Sequence, residues 1–238
     1  MKTKRIYWFY PSILLGFGLL IANGCKKDAD NNPSVELTVK DWDNNVYHTV
    51  KIGDQIWMVE NLRTTHYNDG GNIKNAGDNT AWHIDTTGAY CWYNNDGAAA
   101  IGSPYGALYN FYAVNSGKLC PVGWHVPSDT EWNTLIAKLG GETTAGGKLK
   151  ESGTTHWNTP NTNADNSSGF TAVPGGYRYS VSGEFRDINV RGIWWSSTPN
   201  GTNTALTYYL SYNTAYAKSF TSSYIVGSSV RCIKNPGN

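Results

Sequence analysis

Chemistry in this chain would have to come from five histidines, four cysteines, one run of amide and carboxylate side chains, and a large stock of aromatic rings. The histidines, His48, His66, His83, His125 and His156, are scattered among segments that read as strands and loops. None accompanies a G-x-S-x-G elbow, an H-E-x-x-H helix or a C-x-x-C pair. In GGKLKES, Gly146 to Ser152, a lysine follows glycines without the spacing that cradles a phosphate. Nucleophilic, zinc-hydrolytic and nucleotide-dependent catalysis find no constellation here, and the chain is not expected to be an enzyme. His125, beside Trp124, reads as a packing histidine rather than a site residue.

Asn161, Asn163 and Asp165 stand at alternate positions in a polar stretch. Calcium takes six to eight oxygen ligands, usually with several carboxylates. Only Asp165 is charged, and Asn166 stands where an EF-hand has glycine. The pattern therefore reads first as a solvated loop and second as a calcium site, and no cofactor is required. Binding through rings is the stronger reading. Trp and Tyr stack on sugar faces and anchor protein surfaces, and the chain holds 10 Trp and 16 Tyr. Trp157, Tyr177, Tyr179, Tyr208, Tyr212 and Tyr216 are the ligand-binding candidates, drawn from a wider set with Trp92, Tyr93, Tyr209 and Tyr224. The competing reading is that many of these rings pack a core poor in Leu and Ile. Of the adjacent Trp194 and Trp195, strand alternation is expected to turn one inward. Residues 199–224, rich in Asn, Tyr, Ser and Thr, have the composition of adaptable binding loops and are the expected display surface.

The net charge of +1 over 238 residues, without a basic stripe, gives no reason to expect nucleic acid. Many glycines and aromatics with few charges suit a loop-rich extracellular module. Met1 to Gly24 reads as an address. Lys2, Lys4 and Arg5 form a basic start, and Ile13 to Ile21 is an apolar core short of the roughly 20 residues a spanning helix needs. Ala22-Asn23-Gly24 before Cys25 resembles a bacterial lipobox, with Ala22 where leucine is usual. That resemblance implies cleavage before Cys25 and lipidation of its thiol, several acyl chains giving a stable anchor. Residues 25–38 read as a flexible tether, and the only membrane contact expected is the lipid. The charged run after Cys25 resembles the export signal of surface lipoproteins in the Bacteroidetes group. It implies an outer-membrane protein exposed on the cell surface, a plain solvated linker being the other reading.

Such a compartment permits disulfides. We pair Cys120 with Cys232, closing a loop of about 110 residues, for which chain entropy gives a stabilisation of about 4–5 kcal/mol as an upper figure. Cys91 is then the odd, buried thiol. Pairing of Cys91 with Cys120 is the alternative.

The element that organises the rest is Leu119 to Gly141, read as a buried strand, a turn and an amphipathic helix. Ser128 with Glu131 forms a capping box, Asp129 and Glu131 suit the helix dipole, and Trp132, Leu135, Ile136 and Leu139 make one apolar face. Gly140-Gly141 stops it. Val35 to Leu62 reads as two or three strands, with a Gly53-Asp54 hairpin turn and Val46, His48, Val50 and Ile52 alternating. Residues 64–85, 94–103 and 154–169 read as loops, and Tyr90 to Tyr93 as a short strand. Leu108 to Val114 fits a helix or a strand, and Gly146 to Ser152 a further helical turn. Pro174-Gly175-Gly176 reads as a turn and Gly192 to Ser197 as a strand. Leu206–Leu210, Ala215–Phe220 and Val226–Lys234 close a meander. The fold class is α+β: one domain of short antiparallel strands with one or two helices and long loops, and no internal repeat.

The phrases VKIGDQIWMVENL, GALYNFYAV, LCPVGWHVPSDTEW, GGKLKESGTTHW, GFTAVPGGYR, WWSST and SVRC, in this order, resemble the Fibrobacter succinogenes major paralogous domain of envelope lipoproteins. The resemblance covers Val39 to Lys234 and gives a domain over 39–238. It implies a fold similar to C-type lectins and the formylglycine-generating group, with the terminal strands together and a loop-rich half presenting ligands. The Cys120–Cys232 pairing fits that arrangement. The formylglycine-generating enzymes use a late cysteine pair, whereas Cys232 stands alone, and the family carries no established activity onto any residue here. Some C-type-lectin-like surface proteins are diversified in exposed Asn, Tyr, Ser and Thr, which residues 199–224 resemble in composition. The expected function is a lipid-anchored, non-catalytic envelope module that binds glycan or protein through an aromatic, loop-rich face. A structural or assembly lipoprotein is the alternative, and an enzyme the third reading.

Overall fold

Gly53 adopts φ +62°, a left-handed conformation that favours glycine, and so lets the chain reverse in two residues. Three strands form a meander around this turn: β1 (Val35–Lys40), β2 (Val46–Ile52) and β3 (Gln55–Met58). The computed structural model describes residues 35–97 and 103–237. The stretch read as a signal, Met1–Gly24, with Cys25 and the stretch read as a tether up to residue 34, lies outside it, as does part of the loop read over 94–103. Val35 pairs opposite Val50, so β1 begins within the stretch read as a tether. Alternation along β2 also differs from expectation. Val46 and His48 face solvent, whereas Tyr47, Thr49, Val50 and Ile52 are buried. The sheet has apolar material on both sides. Tyr47 packs with Met58 in one core and Val50 with Trp57 in another, and the Tyr47 hydroxyl donates to Asp41 Oδ2 at 2.6 Å.

Residues 64–85 are not all loop. They hold β4 (Lys74–Asn75) and α1 (Asn79–Ile84), which Asp78 caps by accepting from Ala81 N at 2.8 Å. β5 (Ala89–Cys91) runs into a 3₁₀ turn, Tyr93–Asn95. Leu108 to Val114 is strand and helix in succession, β6 (Leu108–Tyr109) and α2 (Phe111–Val114). The change falls at Asn110, whose buried Oδ1 accepts from both Ala89 N and Ala113 N. The strand expected at the head of Leu119–Gly141 shrinks to two half-exposed residues, β7 (Trp124–His125), because Leu119 to Pro121 turns to place Cys120 against Cys232.

α3 (Asp129–Lys138) has both arms of the capping box, and Trp132, Leu135 and Ile136 are buried. α4 (Glu142–Leu149) follows at once, starting four residues before GGKLKES. Cβ atoms on Gly146 and Gly147 would lie 2.3 Å from Tyr216 O and 2.4 Å from Asn163 O, so only glycine lets α4 approach those two backbones.

β8 (Gly175–Arg178) includes the Gly175-Gly176 pair read as a turn. β9 (Phe185–Ile188), β10 (Arg191–Pro199), β11 (Thr204–Ser211) and β12 (Ala217–Ser223) complete a second sheet of order β12-β11-β10-β8-β9, parallel between β10 and β8. The closing residues do not extend this meander. β13 (Ile233–Lys234) joins the first sheet, in the order β1-β2-β3-β13-β7. β4, β5 and β6 form a small third sheet. Both Trp194 and Trp195 are buried, contrary to the one-inward expectation, since β10 has a core on each face. The class is α+β with strands predominating. Cys120 is bonded to Cys232 and Cys91 is free and buried. Among the described residues no helix is long and apolar enough to cross a membrane.

The irregular half is held by buried cations on backbone carbonyls. Lys150 Nζ donates to the carbonyls of Thr162, Ser211 and Thr214 at 3.0, 3.1 and 2.9 Å. Arg178 donates to those of Gly77 and Gly183, both at 2.9 Å, and of Ala76. Arg231 donates to those of Phe170 and Thr171. Among the described residues no carboxylate pairs with any of the three. Burial lowers the Lys150 ammonium to about 8. A buried charge costs less when several carbonyl dipoles solvate it in place of water.

Candidate functional site

Where β5 ends, the chain leaves the small sheet through two aromatic positions, Trp92 and Tyr93, and returns near β6. Trp92 stands edge-on to Tyr90, with ring centroids 5.7 Å apart. Tyr93 leans on Phe185 of β9 at 5.2 Å. Asn94 and Asn95 both take left-handed φ, 55° and 58°, a tight reversal that asparagine tolerates. Asn95 Nδ2 then donates to Gly77 O, fixing the turn to the stretch before α1. From the other side comes Tyr105. Its hydroxyl donates to Asn189 Oδ1 at 2.7 Å, its ring meets His156 edge-on at 5.6 Å, and its carbonyl accepts from Asn61 Nδ2 at 2.8 Å.

Between these elements lies a cleft of about 350 Å³, lined by Trp92, Tyr93, Tyr105, Asn94, Asp96, Ser103, Pro104, Gly106 and Ile188. The three rings are half-buried, so each keeps an accessible part. Burial raises the Tyr93 and Tyr105 phenols above their usual value, keeping both hydroxyls neutral at physiological pH. Apolar walls with a few amide, hydroxyl and carboxylate groups suit a small polar ring system. Among the described residues, no group of three or more His, Cys, Asp or Glu is placed to hold a metal ion.

The six aromatic candidates do not come together. Trp157 is 1% exposed, with its indole N–H donating to Ala172 O at 2.9 Å, and belongs to the core. Tyr208 is 3% exposed, lies stacked on Trp132 at 5.0 Å and donates to Asp129 Oδ1 at 2.6 Å, tying β11 to α3. Both corrections have one cause: rings and aliphatic side chains together fill the second core, and these two rings are part of it. Tyr177 and Tyr179 are half-buried on either side of Arg178, and Arg186 covers the Tyr179 ring at 4.2 Å. Tyr212 is half-buried against the second core, and Tyr216, 41% exposed, carries the Lys218 ammonium at 4.8 Å. Within 199–224, Tyr224 stacks on Phe111 at 4.3 Å and Tyr209 meets Phe220 at 5.5 Å. Sequence reading missed Tyr105. Its signal was Pro104-Tyr105-Gly106, an aromatic residue in a turn whose glycine adopts φ +71°.

His125 is half-buried, with polar partners on both ring nitrogens. Its Nδ1 meets Asn235 Oδ1 at 2.7 Å and its Nε2 meets Glu131 Oε1 at 2.8 Å, while Ser128 Oγ donates to Glu131 Oε2 at 2.8 Å. The serine is bonded to the carboxylate and not to the imidazole, so this is a capping network rather than a nucleophile with its base. Asn161, Asn163 and Asp165 border a separate cavity of about 500 Å³, with Asn161 buried and the other two exposed.

The family profile described as Fibrobacter succinogenes major domain matches residues 50–234. No curated protein and no solved structure matches the chain.

Proposed function

We propose that this chain, which belongs to the Fibrobacter succinogenes major domain family, is a non-catalytic binding module that takes a glycan in the cleft between Trp92, Tyr93 and Tyr105. The observation that carries this reading is the convergence of three half-buried rings on a concave site of about 350 Å³ that also holds Asn94, Asp96 and Ser103. Sugars offer apolar ring faces to aromatic side chains and hydroxyls to amides and carboxylates. A cleft this small favours one or two sugar units over a protein surface, which spreads over a far larger area. Cys25 lipidation would tether the module to the outer membrane at the cell surface, and the Cys120–Cys232 bridge fits such an oxidising location. The C-type-lectin-like arrangement is part of this reading. It is supported by β13 lying beside β3, and by the loop-rich half carrying the cleft.

A structural or assembly role is the second reading, favoured by the burial of Trp157 and Tyr208, which removes them from any display face. Glycan-array screening of the full chain, followed by titration of the best hits, separates the two. Saturable binding that Trp92→Ala or Tyr93→Ala weakens at least about tenfold, equivalent to about 1.4 kcal/mol, with folding intact, supports the glycan reading. Binding to no glycan, or equal binding by both variants, overturns it.

A further inference from the structure

We propose that the cleft between Trp92, Tyr93 and Tyr105 selects sugars that carry a protonated amine, with the Asp96 carboxylate at its mouth taking the ammonium. This rests on the glycan reading above and specifies its ligand. Of the residues that line the cleft, Asp96 alone carries a formal charge. Its backbone N–H donates to Tyr93 O at 3.3 Å, which closes the 3₁₀ turn that carries the rings. A Cβ built on the next residue, Gly97, would lie 3.5 Å from Trp92 Cδ1, so the chain beside the carboxylate runs along the indole edge. The face of an aromatic ring is itself negative and attracts an ammonium held over it.

The surroundings of the rings agree in sign. Burial is the main cause of the raised Tyr93 and Tyr105 phenols, and the charges of Asp187 and Glu151 raise them further. The cations of neighbouring elements are engaged elsewhere. Arg191 pairs with Asp187 at 3.2 Å, Arg186 with Glu184 at 2.9 Å, and Lys74 with Asp85 at 2.7 Å. His156 meets Glu151 at 2.9 Å, and Arg178 is wholly buried, donating to carbonyls. Ala98 to Gly102, outside the described residues, include no ionisable side chain. An acidic sugar would therefore bring its carboxylate beside Asp96 with no cation in the lining to offset it. The net charge of the chain is +1, so a preference for cations arises within the cleft and not from the molecule as a whole.

The test is calorimetric titration of the full chain with three disaccharides: fully deacetylated glucosamine, its N-acetylated form, and one containing glucuronic acid. Titration at about pH 6 keeps the amine protonated. The amine-bearing sugar is expected to bind about five- to thirtyfold tighter than the acetylated one, the range of an exposed charge pair together with a cation on an aromatic face. The acidic sugar is expected to bind weakest. The advantage of the amine should shrink as salt rises from about 0.01 M to about 1 M, because exposed charges are screened. Asp96→Asn should bring the ratio of the two affinities close to one. The salt series on the natural chain carries the same test should that variant fail to fold. Equal affinity for the amine-bearing and acetylated sugars, tighter binding of the acidic one, or a ratio unchanged in Asp96→Asn overturns the inference and leaves the glycan reading standing. Binding to none of the three overturns it as well, and the array then decides the glycan reading by itself.

Discussion

Arg231 and Asn61, 170 residues apart in the chain, meet in the interior, with Arg231 Nη2 donating to Asn61 Oδ1 at 2.9 Å. The same oxygen accepts from the Trp194 indole at 2.8 Å, and the amide nitrogen donates to the carbonyl of Tyr105 at 2.8 Å. One asparagine thus links the end of the chain, the middle of β10 and the wall of the aromatic cleft. Asn61→Ala leaves a buried guanidinium and a buried indole short of an acceptor. The expected cost is about 1–3 kcal/mol for each buried donor left short of its acceptor, read from urea unfolding. Glycan affinity should fall with it, because Tyr105 loses its backbone anchor.

Cys120→Ala with Cys232→Ala opens a bridge between residues 112 apart in sequence. A loss of about 2–5 kcal/mol is expected, with the fold otherwise retained. Cys91 offers a companion measurement. Burial pushes its thiol up to about 12, outweighing the nearby Arg178. Alkylation followed by mass spectrometry should leave Cys91 unmodified in the native chain and label it after denaturation.

The His125–Glu131 pair predicts a stability profile with two limbs. Burial works against ionisation of Glu131, but hydrogen bonds from His125 and Ser128 outweigh it and hold the carboxyl at about 2, below its ordinary 4.5. That contribution is complete above about pH 4.5 and fades as the pH falls toward 2. The hydrogen bond to Glu131, opposed by burial, raises His125 above 6.5. Its contribution is complete below 6.5 and is lost as the pH rises through the raised value. Tm measured against pH should therefore be highest between about 4.5 and 6.5 for this network. His125→Gln should abolish the alkaline limb.

Trp157→Ala and Tyr208→Phe measure whether these rings are core. Trp157→Ala should cost about 3–5 kcal/mol, as for a large buried ring. Tyr208→Phe should cost about 0.5–1.5 kcal/mol through the lost bond to Asp129. Neither is expected to alter glycan binding once the variant is folded. A surface role for either ring would give the opposite pattern in unfolding and binding assays.

The sequence by itself determined what local spacing encodes. The capping box of α3, its apolar face, and the glycine turn between β2 and β3 are written within a few residues, where backbone hydrogen bonding and side-chain period dictate structure. The Cys120–Cys232 partnership and the free Cys91 were also legible as one of two pairings. Burial depended on what packs against each face. Both Trp194 and Trp195 are interior because β10 runs between two cores, and strand alternation in one segment contains no information about a second layer. The buried cations could not be read either, since Lys150, Arg178 and Arg231 are satisfied by carbonyls that every residue possesses. Tyr105 joins Trp92 and Tyr93 only because Asn61 and Asn189 hold it there across long sequence separations. The cleft is therefore a product of tertiary structure, in which distant polar groups must find partners once water is excluded.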